Sequence, residues 1–360
     1  MGVRHTEYLR GNANCIVPEK TKTMKYFTYS LGTILAFAGT LVASPLQREE
    51  VAADAKWVLH CDVDKFRSTP AGESLVNEAA DKLLEHQKAI FKDEPSLDID
   101  FSKLRSVTVY GDFSGSNHVV LLKSDLDVEK ILESGLALAA KHKGLPSWPF
   151  EKAMRDGIVT YTFPDHVSIW IRPDKTTIFS KSSDSTELAN AVIEGRAANL
   201  TSRNAFGDFP TVQKAFFFFG AAEGFNSSEE LNAEAGKDGK NNPKAKILKM
   251  TESGRAVIGQ DGEQVFLNVS LKAKTAEIVT QMQQVVQGMI ALASLAQSEN
   301  EDIQQLTESA KVTTSGNTVN LSLSFPADKA LLMVNRVLEH RGHGHSIHHG
   351  TNAPAKTDDK

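Results

Sequence analysis

The sequence predicts an α+β fold made of two similar units, each an antiparallel sheet with helices packed on one face. Alternating apolar residues indicate short strands, turn-rich links join neighbouring strands, and the same order of elements occurs twice. Because a short link between adjacent strands requires antiparallel pairing, each unit should contain an antiparallel sheet. We place the first unit at residues 57–200 and the second at residues 209–340.

In the first unit the pattern predicts strands joined by hairpins, with helices between them. Strands are expected at residues 57–66, 106–110, 118–122, 158–163, 167–172 and 176–181, and helices at 73–91, about 127–141 and about 186–194. Asp127 is a favourable N-cap for the second helix. Gly195 favours the end of the third helix, because a glycine readily adopts the left-handed conformation found after a helix.

The second unit repeats this order with a polar insertion at residues 226–243. Strands are expected at residues 214–220, 255–259, 264–274, 311–314 and 318–325, and helices at 275–297 and 327–340. The run Lys214–Gly220 contains four consecutive phenylalanines and is apolar on both faces, which predicts a central, covered strand. The Asp261-Gly262 pair indicates a tight hairpin turn.

Four strings in these units resemble those of an uncharacterised family of secreted, internally duplicated α+β proteins from planctomycete-type bacteria. They are Val58-Leu-His-Cys-Asp-Val-Asp64, Ser106-Val-Thr-Val-Tyr-Gly111, Gln283-Gln-Val-Val-Gln-Gly-Met-Ile-Ala-Leu-Ala293 and Val319-Asn-Leu-Ser-Leu-Ser-Phe-Pro-Ala327. The resemblance covers most of residues 57–340 and implies a duplicated fold and export. It implies no activity, because these strings are structural and the family has none assigned.

The N-terminal region predicts an exported protein. Lysines at positions 20, 22 and 25 precede an uncharged stretch from Phe27 to Ala43, which is typical of a signal peptide at residues 24–43 with cleavage near Ala43. The alternative is an uncleaved N-terminal membrane anchor. Met24 would make a normal translation start, so we expect residues 1–23 to be an upstream segment that precedes the true start. We therefore expect a periplasmic or secreted protein with no membrane span in the mature chain.

Charge and cysteine content exclude several classes. Forty basic residues against 45 acidic ones leave no positive excess, so nucleic-acid binding is not expected. The two cysteines are too few for a disulfide framework, and removal of the signal region would leave only Cys61, which we expect to be a buried, unreactive thiol.

The first strand contains the strongest candidate for chemistry. Its alternation places His60, Asp62 and Asp64 on one face, opposite Trp57 and its apolar neighbours. One imidazole and two carboxylates are suited to divalent-cation binding or acid–base catalysis, which would fit a metal-dependent hydrolase. The alternative is the solvated polar face of a one-sided antiparallel sheet.

The C-terminal residues 341–360 form a tail predicted to be disordered and rich in histidine. His340, His343, His345, His348 and His349 lie within ten residues, and neutral imidazole binds zinc, nickel and copper. The tail therefore predicts weak metal binding, or metal sequestration, while no resident cofactor is expected. The alternative is a solubilising tail that binds metals only adventitiously.

No catalytic signature stands out elsewhere. The sequence has no Gly-x-Ser-x-Gly elbow, no His-Glu-x-x-His string and no phosphate-binding glycine loop after a strand. We therefore favour a non-enzymatic binding or structural module over an enzyme. The helix at 275–297 has an uncharged, glutamine-rich outer side, which indicates a homodimer contact as one use of that surface.

Overall fold

The computed structural model of the chain describes residues 45–91, 97, 99–113, 117–202, 206, 216–224, 243–296 and 300–333. The upstream segment, the signal peptide, the histidine-rich tail and all but the last residue of the insertion lie outside these ranges. Among the helices in these ranges, none combines the length and the apolar character needed to cross a membrane.

In the described part of the chain, twelve antiparallel strands form one continuous sheet. They are β1 (Trp57–Asp62), β2 (Leu104–Gly111), β3 (His118–Ser124), β4 (Glu151–Arg155), β5 (Ile158–Thr162), β6 (Ser168–Ile171), β7 (Thr176–Ser180), β8 (Phe216–Glu223), β9 (Thr251–Asp261), β10 (Gln264–Ala273), β11 (Lys311–Ser315) and β12 (Thr318–Pro326). Their order across the sheet is β11-β12-β10-β9-β8-β1-β2-β3-β7-β6-β5-β4.

The helices alternate with these strands along the chain. They are α1 (Val63–Arg67), α2 (Pro70–Ile90), α3 (Val128–His142), α4 (Ser183–Ile193), α5 (Pro243–Met250), α6 (Ala276–Ala296) and α7 (Glu301–Glu308). Another helix begins at residue 327 and is described as far as residue 333. The mixture of helices with a large antiparallel sheet confirms the α+β class.

The sheet is continuous because β1 and β8 pair with each other. Val58 lies opposite Tyr110 of β2 on one side and opposite Ala221 of β8 on the other. We predicted two separate sheets, and the structure instead places all of these strands in one sheet within one compact unit. The physical reason is that β8 is apolar on both faces, so it is stable only in the interior of a sheet.

Helices pack on both faces of the sheet, but on different parts of it. The first core joins Val58, Tyr110 and Ile178 of the sheet to Ala189 and Val192 of α4. The second core packs α6 against the opposite face, through Met250, Ala273, Val279, Met282 and Val319. We predicted helices on one face of each unit, and in the first unit this is wrong. Tyr161 donates a hydrogen bond to Glu133 of α3 and lies on the face of Phe179, whereas α4 packs on the face of Ile178. Helix α4 covers that face because strands β1, β2, β3 and β7 present apolar side chains there.

Four of these elements, β4, α1, α5 and α7, were not predicted, and one strand is shorter than predicted. Strand β4 is exposed at all five residues and lacks alternation, so no apolar pattern marks it. Helix α5 has the sequence Pro-Lys-Ala-Lys-Ile-Leu-Lys-Met. Helix α7 is short and polar, and its start is marked by the N-cap Asn300, whose side chain accepts hydrogen bonds from the backbone N–H groups of Asp302 and Ile303. The first strand ends at Asp62 rather than residue 66, because Asp62 caps helix α1.

The start of α2 is fixed by tight packing of its backbone. Thr69 is the N-cap, and its Oγ1 accepts a hydrogen bond from the backbone N–H of Gly72 at 3.0 Å. A Cβ at position 72 would lie 1.9 Å from the carbonyl oxygen of Phe66. Only glycine therefore fits where the turn after α1 enters α2.

We expect Gly72→Ala to destabilise the protein by roughly 2 kcal/mol or more, since the methyl group overlaps a backbone atom that cannot move alone. The matched control is Gly288→Ala in α6, where a Cβ meets no atom within 4 Å. That change should stabilise by about 0.5–1 kcal/mol through helix propensity. Urea denaturation of both variants measures the difference, and equal effects would contradict the packing argument.

Candidate functional site

The candidate site lies where β1 ends and α1 begins. Oδ1 of Asp62 accepts a hydrogen bond from the backbone N–H of Lys65 at 3.1 Å and so caps α1. Asp64 then lies in the first turn of α1 rather than on the strand. His60 and Asp62 share a face of β1 as predicted, but Asp64 reaches the same region from a helix.

The three side chains are buried. His60, Asp62 and Asp64 are 2%, 3% and 3% exposed, whereas Leu59 on the other face of β1 is 43% exposed. The alternative of a solvated polar strand face is therefore wrong. The reason is that β1 lies inside the sheet, and its polar residues share a face with Val58, which belongs to the first core.

His60 takes part in a cross-strand pair. Its register partner on β2 is Thr108, and His60 Nδ1 and Thr108 Oγ1 are hydrogen-bonded at 2.9 Å. Both residues are buried, and Phe219 of β8 lies opposite His60 on the other side. A buried imidazole that is hydrogen-bonded to a neighbouring strand stabilises the sheet, because an unsatisfied ring nitrogen would cost free energy.

The carboxyl group of Asp64 has an unusual charge environment. Burial is the main cause that raises its pKa, to about 6, and the neighbouring carboxylate of Asp62 raises it further. The guanidinium groups of Arg105 and Arg67 oppose this increase. Their influence is limited because each has another partner: Arg105 Nε donates to Asp125 Oδ2 at 2.8 Å, and Arg67 Nη2 donates to the carbonyl oxygen of Phe101 at 2.9 Å.

Cys61 lies beside this cluster on the opposite face of β1. Burial, followed by the negative charge of Asp62, raises the pKa of its thiol to about 12. The thiol is therefore protonated at neutral pH, and a protonated thiol is a poor nucleophile. This agrees with the predicted unreactive cysteine, although the side chain is half-buried rather than fully buried.

Metal binding finds no support in the described ranges. No group of three or more His, Cys, Asp or Glu side chains there is arranged to hold a metal ion, and this includes the His60, Asp62 and Asp64 cluster. Residues 340, 343, 345, 348 and 349 of the tail lie outside the described residues. Metal binding by those histidines stays a prediction.

Clefts also open elsewhere on the surface of the described residues. A cleft of about 370 Å³ lies at the start of α3 and is lined by Ser124, Asp125, Leu126, Asp127, Val128, Glu129, Ile171, Arg172, Pro173, Lys175 and Thr177. Its carboxylates are already engaged: Asp125 pairs with Arg105, Glu129 with Lys152, and Asp127 caps α3. This cleft therefore offers few uncommitted charges to a ligand.

The other cleft, of about 310 Å³, lies between α6, α7 and the edge strand β11. It is lined by Gln287, Ile290, Ala291, Ser294, Thr307, Glu308, Ala310 and Val312. Sequence reasoning missed it, because its walls come from three elements and α7 was not predicted. The available signal was the uncharged outer side of α6. None of His60, Asp62 and Asp64 lines either of the two clefts.

Comparisons with known proteins give little guidance. No protein-family model matches the chain, and no curated protein matches it significantly. Crystal forms I and III of TP0453, a Treponema protein, each align with a TM-score of 0.44. Identity is 10% for form I, over 82% of this chain and 98% of that one, and 9% for form III, over 81% and 99%. These values do not establish a shared fold.

The raised pKa of Asp64 predicts a pH-dependent stability. A group whose pKa is higher in the folded state contributes stability below its unfolded pKa of 3.8, and this contribution is lost as pH rises through about 6. Relative to Asp64→Asn, the wild-type free energy of unfolding should therefore fall by about 2 kcal/mol between pH 4 and pH 7. Denaturation curves across this range measure it.

The control is Asp81→Asn, which changes an exposed aspartate on α2. Its difference from the wild type should stay nearly constant over the same pH range. A parallel pH profile for the wild type and Asp64→Asn would show that burial does not raise the pKa of this carboxyl group.

Proposed function

We propose that this chain is an exported, non-enzymatic binding or structural module. One observation carries the proposal: the best candidate catalytic residues, His60, Asp62 and Asp64, are buried and have structural partners. Asp62 caps a helix, His60 bonds to Thr108, and Asp64 lies close to two arginines that are themselves bonded. Catalytic groups need access to a substrate, whereas all three of these groups are buried. Asp62 and His60 instead stabilise the junction of β1, β2 and α1.

The duplication predicted from the sequence is part of this proposal. Outward from β1 the strand order is β1-β2-β3-β7-β6, followed by β5 and β4, and outward from β8 it is β8-β9-β10-β12-β11. Along the chain, each series begins with a strand and a hairpin, and a helix follows. Each then ends with a hairpin whose second strand pairs with the preceding hairpin: β7 pairs with β3, and β12 pairs with β10. This correspondence supports two related units that meet at the β1–β8 pair.

Export through the N-terminal signal and membership of the planctomycete-type family are retained as parts of the same proposal. Both rest on the sequence features of residues 24–43 and on the four resembling strings. A large sheet whose best candidate catalytic residues are buried is compatible with a role in binding or in envelope architecture. N-terminal sequencing of the exported protein would test the cleavage near Ala43.

The competing function is a metal-dependent hydrolase that uses His60, Asp62 and Asp64. We expect no hydrolysis of p-nitrophenyl phosphate or p-nitrophenyl acetate above the blank, with Mg²⁺, Mn²⁺ or Zn²⁺ added. Asp64→Asn should leave that result unchanged and should raise the free energy of unfolding at pH 7, since it removes a buried charge. Metal-dependent turnover that Asp64→Asn abolishes, in a variant that still folds, would overturn the proposal.

A second candidate function is metal sequestration by the tail, favoured by the five histidines at positions 340, 343, 345, 348 and 349. Titration calorimetry of the full chain with Zn²⁺, Ni²⁺ or Cu²⁺ should show weak binding of several ions. A variant with these five histidines changed to glutamine should lose most of that heat, because the ligands are removed while the length is kept. Identical heats from the two proteins would contradict this function.

The expected partner is a second copy of the chain, in contact through α6. In its distal half, Leu292 and Leu295 are 60% and 73% exposed. From Ile278 to Ala296 the helix contains no charged residue. An exposed, uncharged helix surface is typical of a contact with protein rather than with water.

A further inference from the structure

Among the described strands, β11 forms one edge of the sheet. In the described part of the chain β11 pairs with β12 on one side only, and four of its five residues are exposed. Alternate residues of such a strand direct their N–H and C=O groups outward, where they can pair with another strand. Proteins usually protect an edge with charges, proline or a bulge, but β11 contains one charge, no proline and an unbroken register with β12.

The other end of the sheet is protected in the usual way. Strand β4 has the sequence Glu-Lys-Ala-Met-Arg, so three of its five residues are ionised. Lys152 is also held by ion pairs to Glu129 and Glu133 of α3. Pairing at that edge would have to desolvate these charges, which makes β11 the more favourable of the two edges.

We propose that β11 pairs antiparallel with β11 of a second copy, which joins two sheets across a two-fold axis near Thr313. This inference rests on the self-association proposed for α6 and adds the sheet edge to that interface. With Thr313 at the axis, Lys311 of one copy lies opposite Ser315 of the other. No like charges face each other, so the edge is complementary to itself.

The cleft beside β11 fits the same arrangement. Val312 packs against the second core, so it lies on the face that α6 covers, and Thr314 lies on that face by alternation. In the paired edge each Val312 lies opposite Thr314 of the second copy. The added side chains therefore enter the space beside Ile290 and Ala291, where the cleft of about 310 Å³ is open in one chain.

The helical layer also continues across this axis. Helix α6 lies over β10, β12 and β11, and its distal half is nearest to the edge because Ile290 and Ala291 share the cleft with Val312. The two-fold axis then brings the distal halves of two α6 helices close to each other. A lipid surface is less suitable, since interfacial helices present lysine or arginine on their polar face and this stretch has none.

Sedimentation velocity of the full chain, from about 1 μM to about 200 μM, tests the proposal, because pairing between two five-residue edge strands should be weak. The wild type should form a dimer within this range. Thr313→Lys should shift it to monomer, since two lysines would face each other at the axis. Ala153→Lys at the centre of β4 is the matched control and should leave the dimer unchanged. An equimolar mixture of Thr313→Lys and Thr313→Glu should restore association.

Each other outcome overturns the inference. A wild type that is monomeric throughout the range would remove both the edge pairing and the proposed contact through α6. If the Thr313→Lys variant still dimerises but the double variant Leu292→Gln/Leu295→Gln is monomeric, the contact through α6 is supported and the β11 edge pairing is rejected. Equal effects of Thr313→Lys and Ala153→Lys would show a nonspecific charge effect. If the protein stays monomeric and the amide hydrogens of β11 exchange more slowly only after an extended peptide is added, the edge binds a peptide rather than a second copy.

Discussion

The pairing of β1 with β8 is the interaction on which the rest of the structure depends. It converts two strand series into one sheet and places β1 in the interior, with β2 on one side and β8 on the other. A strand in that position is covered on the face of Val58, so polar side chains on the same face must find partners inside the protein. The hydrogen bond between His60 and Thr108 and the cap made by Asp62 follow from this requirement.

The same constraint explains the electrostatics of the junction. Two carboxylates, Asp62 and Asp64, are buried close to each other, and the nearby Arg67 and Arg105 offset their repulsion only in part. Such a cluster costs stability at neutral pH, and buried charges are tolerated when neighbouring groups hydrogen-bond to them. A perturbed pKa often accompanies catalysis, but it also arises in structural clusters, and access to substrate distinguishes the two cases.

Much of the fold was predictable where the sequence contained a local signal. The central strand was evident from the four phenylalanines before Gly220, the start of α3 from Asp127, and a hairpin turn from Gly262, which has a positive φ. Strand β4 was not predictable, because all five of its residues are exposed and no apolar pattern marks it. Helix α7 was missed although a local signal was present, since Asn300 is a favourable N-cap and is followed by the acidic residues Glu301 and Asp302. The cleft beside β11 was missed with it, since α7 forms part of its wall.

The sequence by itself determined that His60 and Asp62 share one face of a strand and that Leu59 and Cys61 share the other, because alternation is a property of the extended backbone. It did not determine which face is buried. That was decided by the tertiary structure, in which α4 and the first core cover the face of Val58 and leave Leu59 partly exposed. Alternation assigns residues to sides, whereas burial depends on distant parts of the chain that pack against each side.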